Sequence, residues 1–300
     1  MKYALITLGL LLGAASAAHA QPRIESLHVQ GNVWLLAGAG ANVAVQIGDE
    51  GVLVVDTGTA AAREPLLAAI RKLSTKPIRW VVNTTTDVDH TGGNTAISQA
   101  GQTVNGNPAA IIAHENALTR MSAENRTATD LPLNTFFEEG RDFNFNGEAV
   151  FLYHVPPAHT DGDLMVYFRG SDVLVAGDIF TTTTYPVIRA DSGGGIDGYI
   201  AGLNKLLDVA VPKYLQEGGT YIVPGHGRIG DEADLVDYRD MVLILRDRIA
   251  SMIAKGMTLE QIMATKPTVD YDLRYGTAAY TPAMFVAAVY RDLTQRKGGK

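Results

Sequence analysis

The sequence predicts a domain of mixed α and β structure, and three observations lead to this prediction. Short apolar runs typical of buried strands occur in clusters, and amphipathic helical segments lie between the clusters. The chain has 300 residues, of which 46% are hydrophobic and 19% are charged, so it can bury a large core. No internal repeat, low-complexity tract or Pro/Ser-rich linker divides residues 21–300, which we therefore interpret as a single domain with helices at its C-terminal end.

The first half of this domain begins with strands. Between about Val29 and Asp56 the pattern is strand-like, and Gly-rich turns separate the runs Val33–Leu36, Asn42–Ile47 and Val52–Val55. An amphipathic helix is predicted from Ala60 to Leu73, with Pro65 in its early turns, where proline is tolerated. The apolar run Ile78–Val82 then predicts another buried strand.

The second half alternates strands and helices. Apolar runs predict strands at Ala110–Ala113, Ala149–Tyr153, Leu164–Phe168, Val173–Ala176 and Tyr221–Val223. Helices are predicted at Glu115–Met121, Asp197–Val209 and Glu232–Lys255, after a capping-box start at Thr258–Gln261, and from Thr281-Pro282 onward. The polar stretch Ser122–Leu133 is predicted to be an exposed loop.

Residues of types that can bind metals follow several of these predicted strands. Asp87, Asp89 and His90 lie within four residues on the loop after strand Ile78–Val82. His159, Asp178 and His226 each follow a later apolar run and precede small residues. Four such places in one chain predict strand ends that converge on a single pocket. The chain has no cysteine, so a metal there must be held by imidazole and carboxylate groups.

These residues resemble a known family motif. The segment Thr85-Thr86-Asp87-Val88-Asp89-His90, followed by Gly92-Gly93-Asn94, is similar to the His-x-His-x-Asp-His…Gly-Gly-Asn signature of metallo-β-lactamase-fold hydrolases. Thr85 and Asp87 stand where the family has its first two histidines. The resemblance continues at Ala158–Asp163, Ala176–Asp178 and Val223–Gly227. It implies a four-layer αββα sandwich.

The resemblance also implies two adjacent metal sites. His159 would belong to the first site, and Asp89, His90 and His226 to the second. Asp178 would bridge the two, and Asp56 would orient the loop without contacting metal. Asp87 can reach inward like the histidine that it replaces, whereas the neutral hydroxyl of Thr85 is a poor ligand. We expect the second site to bind a metal ion tightly and the first site to bind one weakly or not at all. The alternative is a remodelled two-metal site that is richer in oxygen ligands.

The resemblance also implies that this site is that of a hydrolase. The cofactor would be Zn²⁺, as one or two ions, and carboxylate ligands also admit Fe or Mn. A metal-activated water would attack a small ester, thioester, lactone or lactam, with Asp89 or Asp87 orienting that water or relaying its proton. The alternative is a catalytically weak or inactive relative that binds a metal or ligand in the periplasm, because two family ligands are replaced.

The first twenty residues predict export. Lys2 precedes the apolar segment Tyr3–Ala15, and Ala18-His19-Ala20 has the pattern of a signal-peptide cleavage site. We therefore expect a periplasmic protein without stable membrane insertion. A net charge of −7 argues against a nucleic-acid partner and leaves a small-molecule substrate. The sequence sets no oligomeric state.

The remaining histidines, a glycine run and a threonine run are not predicted to be metal ligands. His114 and His154 also sit at strand ends, but we expect both to be hydrogen-bonded structural histidines. Gly193-Gly194-Gly195 lacks the Lys-Ser/Thr of a phosphate-binding loop, so it predicts a flexible turn beside the pocket. Thr181–Thr184 and Tyr185 are predicted to line the substrate mouth.

Overall fold

Two β-sheets face each other in the computed structural model, which describes residues 22–155 and 157–298. In chain order the strands are β1 (Glu25–Gln30), β2 (Val33–Ala39), β3 (Ala41–Gly48), β4 (Gly51–Val55), β5 (Ile78–Val82), β6 (Ala110–His114), β7 (Asn134–Phe136), β8 (Gly140–Phe145), β9 (Glu148–His154), β10 (Leu164–Phe168), β11 (Val173–Thr181) and β12 (Tyr221–His226). The α-helices are α1 (Arg63–Leu73), α2 (Val88–Thr91), α3 (Asn94–Ala100), α4 (Glu115–Ala123), α5 (Ile196–Val209), α6 (Glu232–Ala254), α7 (Leu259–Ala264), α8 (Asp272–Tyr275) and α9 (Pro282–Gly298).

The two sheets differ in how their strands run. The first contains β1 to β7 in sequence order, antiparallel from β1 to β4 and parallel from β4 to β7. The second has the order β12-β11-β10-β9-β8, and only β11 and β12 pair in parallel. Because consecutive parallel strands end at the same edge of a sheet, the residues that follow β4 and β5 lie close together.

Buried strands with two apolar faces explain the layers. In β4, Leu53 and Val55 face the other sheet, while Val52 and Val54 pack under α1 and α3. In β11, Val173 and Val175 face the first sheet, and the alternating residues pack under α5, α6 and α9. The order is therefore helix, sheet, sheet, helix, and the predicted four-layer αββα fold is confirmed.

Strands β7, β8 and β11 differ from the sequence prediction. Strands β7 and β8 were not predicted, because their sequences are polar and short. Asn146-Gly147 between β8 and β9 was an available signal, since both residues have positive φ, as the tight turn of a hairpin requires. Strand β11 was predicted to end at Ala176 but runs on to Thr181, so Asp178 lies within a strand.

Gly177 is the reason that β11 can carry Asp178 toward the other sheet. The pairing register with β12 shifts on both sides of Gly177, whose φ is +53°. A Cβ at this position would lie 2.7 Å from Thr84 Oγ1 on the loop after β5. The positive φ and the close approach of the Gly177 backbone to the Thr84 side chain therefore both favour glycine here.

Gly198 in α5 gives a prediction about stability. A Cβ there would collide with the main-chain carbonyl oxygen of Pro157, which precedes His159. We expect Gly198→Ala to lower the free energy of unfolding by about 1–3 kcal/mol through overpacking, although alanine favours a helix by about 1 kcal/mol over glycine. Denaturant unfolding of the metal-free protein measures this, and an unchanged or raised stability would contradict it.

Two further sequence predictions concern export and membrane insertion. The predicted signal peptide, residues 1–20, lies outside the described residues. Of the helices that the structure describes, none is both long and apolar enough to cross a membrane.

Candidate metal centre

Six predicted ligands meet at one edge of the sandwich and form two groups of three. Asp87, His159 and Asp178 form what we call the first triad, and Asp89, His90 and His226 form the second triad. Within each triad, one ligand atom per residue lies within 4.8 Å of the others. The chain supplies them from the loop after β5 with α2, the β9–β10 connection, β11 and the end of β12.

The second triad has the spacing of a metal site. His226 Nε2 lies 3.3 Å from Asp89 Oδ2, and His90 Nε2 lies 3.2 Å from Asp178 Oδ1. His226 Nε2 and Asp178 Oδ1 are 3.6 Å apart. Tetrahedral zinc bonds of 2.0–2.1 Å place ligand atoms about 3.3 Å from one another. These four residues therefore fit one tetrahedral ion.

Asp178 faces both triads. Its Oδ1 points to the second triad, and its Oδ2 lies 3.7 Å from His159 Nε2 in the first. The Tyr199 hydroxyl donates a hydrogen bond to the main-chain carbonyl of Asp178 and fixes the strand there. Burial raises the pKa of the Asp178 carboxyl, but the neighbouring imidazoles, His90 first, outweigh it and hold the pKa well below its usual range. Asp178 is therefore an ionised carboxylate shared by the two triads.

The first triad contains a contact that the sequence did not predict. Asp87 Oδ2 lies 3.3 Å from His159 Nε2, so Asp87 does reach inward. The Arg189 guanidinium donates from Nη1 to both Asp87 oxygens, at 3.0 and 2.8 Å. Burial alone would raise the pKa of Asp87, but His159 and Arg189 lower it. Arg189 follows no motif, and a partner 102 positions away gives no local signal.

Unpartnered atoms test whether the two triads fit a metal. His90 Nε2, His159 Nε2 and Asp178 Oδ1 are buried and have no hydrogen-bond partner among the described residues. Each such atom costs about 1–3 kcal/mol if nothing binds it. Burial lowers the pKa of His159, but Asp87 and Asp178 raise it to about 9, which shows that the surroundings favour a positive charge. The donor set therefore fits a divalent cation.

Both buried histidines are oriented by their other ring nitrogen. His90 Nδ1 lies 2.8 Å from Asp56 Oδ2, and His159 Nδ1 lies 2.7 Å from the Val187 carbonyl oxygen. These acceptors favour the tautomer with hydrogen on Nδ1, which leaves the Nε2 lone pair for a metal. Asp56 also accepts hydrogen bonds from the main-chain N–H and the hydroxyl of Thr84, at 2.8 and 2.6 Å. It thus orients both the loop and one ligand without being in either triad.

A network behind α2 holds the ligand loop. Asn94 exchanges hydrogen bonds with Asn83, and Arg126 donates to Thr86 O at 2.6 Å and to Thr91 Oγ1 at 2.5 Å. Arg126 comes from the stretch predicted as an exposed loop, so that loop clamps the ligand segment. A Cβ at Gly93 would collide with the Thr57 carbonyl oxygen, which explains the second glycine of the Gly-Gly-Asn sequence.

A cavity of about 280 Å³ opens above the triads. Apart from ligand residues, its lining is Thr181, Thr183, Thr184, Val187, Tyr199, Thr277, Ala279 and Tyr280. Of the threonines predicted to line the substrate mouth, Thr181, Thr183 and Thr184 line this cavity and Thr182 does not. Tyr185 does not line it either, because it is fully buried and its hydroxyl donates to Thr268 O and Asp272 Oδ1. The C-terminal residues 277–280, which the sequence did not indicate, complete the wall.

The structure also shows the surroundings of the histidines and glycines that lie outside the two triads. The His114 and His154 rings stack 3.7 Å apart, and His154 Nε2 bonds the Asp161 carbonyl oxygen. His114 Nδ1 accepts from Asn116 N, so both histidines are hydrogen-bonded as expected, while the buried Nε2 of His114 has no hydrogen-bond partner among the described residues. Gly194 packs against the His159 carbonyl oxygen with no room for a Cβ, so the glycine run is a close contact rather than a flexible turn.

Asp56 gives a prediction about metal affinity. Asparagine tolerates the positive φ of +62° at this position and can still accept from Thr84. It cannot supply the negative charge that fixes the His90 tautomer, so we expect Asp56→Asn to weaken metal binding about 10–100-fold. Competition with a chromogenic chelator measures the affinity, and wild-type affinity in Asp56→Asn would refute the orienting role.

Comparison with known proteins supports one family. A model described as the metallo-beta-lactamase superfamily matches residues 29–226. The chain is 25% identical over 259 residues to a linear primary-alkylsulfatase of Pseudomonas sp. (strain ATCC 19151), which covers 71% of this chain and 47% of that protein. It is 22% identical over 194 residues to a metallo-beta-lactamase type 2 of Bacillus sp. (strain 170), with 64% and 69% covered.

Solved structures show the same fold. A stereoselective inverting sec-alkylsulfatase from Pseudomonas sp. superimposes with a TM-score of 0.71 at 18% identity, covering 89% of this chain and 50% of that one. A metallo-beta-lactamase from Pontibacter korlensis superimposes with a TM-score of 0.58 at 18% identity, covering 74% and 99%. The chain spans about half the length of the alkylsulfatases that it matches.

Proposed function

The chain belongs to the metallo-β-lactamase superfamily, and we propose that it is a metal-dependent hydrolase acting on a small ester, thioester, lactone or lactam. One observation carries the proposal. Two triads share Asp178, and their unpartnered ligand atoms lie beneath a cavity of about 280 Å³. A structural ion needs no such cavity, whereas a catalytic site does.

The ligands and the cavity assign roles to the chain's own residues. Asp89, His90, His226 and Asp178 would hold one ion, and Asp87 and His159 with Asp178 would hold another. When bound, a divalent cation supplies Lewis acidity, which lowers the pKa of water to about 7 and polarises the substrate oxygen. Zn²⁺ suits this set of imidazoles and carboxylates, and Mn²⁺ or Fe²⁺ would also be accepted.

Asp89 is better placed than Asp87 to accept the proton from the attacking water. The Asp89 side chain is 35% exposed and lines the cavity, whereas Asp87 is 17% exposed and both its oxygens accept from Arg189. A hydrogen bond from His226 keeps the pKa of Asp89 lowered, so it is an ionised acceptor. We therefore infer that Asp89 orients the water and takes its proton.

The size and lining of the cavity favour a small substrate. Four threonines and Tyr280 can hydrogen-bond to a polar group, and Val187 and Ala279 can contact an apolar one. Similarity to alkylsulfatases adds a sulfate ester as a second candidate substrate. The net charge of −7 disfavours nucleic acid, and the N-terminal sequence favours the periplasm as the site of action.

The alternative is a weak or inactive relative that binds a metal or ligand. Thr85 supports it, since its buried hydroxyl has no hydrogen-bond partner among the described residues and offers no charge to an ion. The six ligands that remain together support the enzyme instead, because only a functional metal site needs them all.

Metal content per chain is the first test. The protein should be purified from the periplasm without added metal, analysed for elements, and assayed on p-nitrophenyl acetate, a thioester, a chromogenic cephalosporin and p-nitrophenyl sulfate. We expect at least one ion per chain and hydrolysis that a chelator abolishes and added Zn²⁺ restores. An ion without hydrolysis of any ester, thioester, lactam or sulfate would favour the binding protein, and no ion after adding Zn²⁺, Mn²⁺ or Fe²⁺ would refute the enzyme.

A further inference from the structure

We propose that the Arg189 guanidinium, held on Asp87, takes the electrostatic place of a metal ion in the first triad. The centre then binds one ion tightly, in the second triad, and binds a second ion weakly. The inference rests on the proposed metal-dependent function, and it concerns how many ions that function uses. It also explains why an aspartate stands at position 87, where the family has a histidine. The explanation is Arg189, which belongs to no motif.

The contact between Arg189 and Asp87 is a close, two-oxygen contact. Nη1 of Arg189 donates to Oδ1 at 3.0 Å and to Oδ2 at 2.8 Å, and Oδ2 is the same oxygen that lies 3.3 Å from His159 Nε2. An ion in the first triad would take one of these two Asp87 oxygens, both of which accept from Arg189. The guanidinium therefore already binds the atom that the ion would use.

The main chain holds Arg189 in this place. Its N–H donates to the His159 carbonyl oxygen at 2.9 Å, and two residues earlier the Val187 carbonyl accepts from His159 Nδ1. The Arg189 carbonyl oxygen in turn accepts from the N–H groups of Ser192 and Gly194, at 2.9 Å each. The segment that orients His159 thus also carries the arginine, so the cation is part of the site.

The charges of the two triads favour one divalent ion. Asp87, Asp89 and Asp178 are the three carboxylates among the six ligands. Arg189 and one divalent cation together balance these three negative charges when the histidines are neutral. Two divalent cations with Arg189 would leave two positive charges in excess over these six ligands. Asp56 behind His90, Asp163 near His159 and Asp191 beside Arg189 are further carboxylates, but none of them belongs to a triad. Because charge interactions fall only inversely with distance, a second ion would be repelled by both neighbours.

A different role for Arg189 makes the opposite prediction. If Arg189 only oriented Asp87 as a metal ligand, removing it would weaken binding in the first triad. If it replaces an ion, removing it leaves Asp87 unpaired, and binding of the second ion becomes stronger. The sign of the change therefore separates the two roles.

The test is a Zn²⁺ titration of the metal-free protein by calorimetry, with elemental analysis of each saturated sample. We expect the wild type to bind one tight equivalent and Arg189→Gln to bind the second equivalent at least tenfold more tightly than the wild type does. Arg189→Lys keeps a positive charge and should keep the weak second equivalent. The matched control is Arg120→Gln, which removes another Arg–Asp pair, to Asp161 at 2.6 Å, and should leave the titration unchanged.

Three results would overturn the proposal. They are two equally tight equivalents in the wild type, an unchanged or weaker second equivalent in Arg189→Gln, or a strengthened second equivalent in Arg189→Lys. If Arg189→Gln does not fold, the titrations of Arg189→Lys and of the wild type still test the proposal. Absence of any tight equivalent in all proteins would instead refute the metal-dependent function.

Discussion

An Asp178→Asn variant should lose tight metal binding at the second triad, weaken binding at the first triad further, and lose nearly all hydrolysis. Asp178 Oδ1 lies 3.2 Å from His90 Nε2 and Oδ2 lies 3.7 Å from His159 Nε2, so one carboxylate serves both groups. Asparagine keeps the shape but removes the charge and turns one oxygen into a donor. Metal ions contribute several kcal/mol to transition-state stabilisation, so we expect the rate to fall on the order of a thousandfold.

Elemental analysis and chelator competition measure this loss, and a matched control is available. Asp172 is also buried and hydrogen-bonded, but its partners are Tyr167, Gln216 and Thr220 rather than the ligands. Asp172→Asn should keep the wild-type metal content. If Asp178→Asn retains one ion at wild-type affinity, Asp178 is not a shared ligand and the second triad holds its ion alone.

The candidate ligands could be selected from the sequence because each lies in a short local pattern. Asp89, His90 and the Gly92-Gly93 pair stand next to a buried strand, and His226 stands at the end of another. Strand ends converge because the sheet is partly parallel, which the alternation of elements already indicated. The fold class was predictable for the same reason. The export signal, by contrast, stays a prediction.

The residues that were missed depend on long-range packing. Arg189 reaches Asp87 across 102 positions, and Tyr280 joins the cavity from the loop between α8 and α9. Neither belongs to a motif, and no periodicity places a loop residue against a distant strand end. Asp178 was predicted as a ligand but at a strand end, and the bulge at Gly177 that allows it to lie within β11 is a tertiary effect.

The residues at positions 85 and 87 are best understood together with Arg189. Thr85 offers a neutral hydroxyl where the family resemblance places an imidazole, and Asp87 offers a charge that Arg189 shares. Loss of one ligand and partial neutralisation of another both weaken the first triad. The second triad keeps two imidazoles and a carboxylate, together with Asp178. The asymmetry between the triads is therefore built from three residues, of which the sequence motif contains two.

The wall of the cavity suggests where substrate choice is made. Thr277, Ala279 and Tyr280 line it, and these residues lie beyond the segment 29–226 that matches the family model. Burial raises the pKa of Tyr280 to about 12, so its hydroxyl keeps its proton and can donate to a substrate. The candidate ligands thus come from the segment that matches the family, and part of the cavity wall comes from the loop between α8 and α9.

A His226→Ala variant should abolish hydrolysis while the fold remains intact. His226 Nε2 lies 3.3 Å from Asp89 and 3.6 Å from Asp178, and its side chain lines the cavity. Truncation removes a ligand from the second triad, which we expect to hold the tight ion. The side chain is 34% exposed at the end of β12, so its loss should cost the metal-free protein at most about 1 kcal/mol of stability.

Steady-state assays on the best substrate of the wild type, with thermal unfolding of the metal-free proteins, separate the two effects. We expect a rate lowered on the order of a thousandfold or more and nearly unchanged unfolding. His28→Ala, which removes an exposed histidine on β1, should leave both unchanged. Wild-type rates in His226→Ala would mean that the second triad is not the catalytic site, and the ion would then have to act from the first triad beside Arg189.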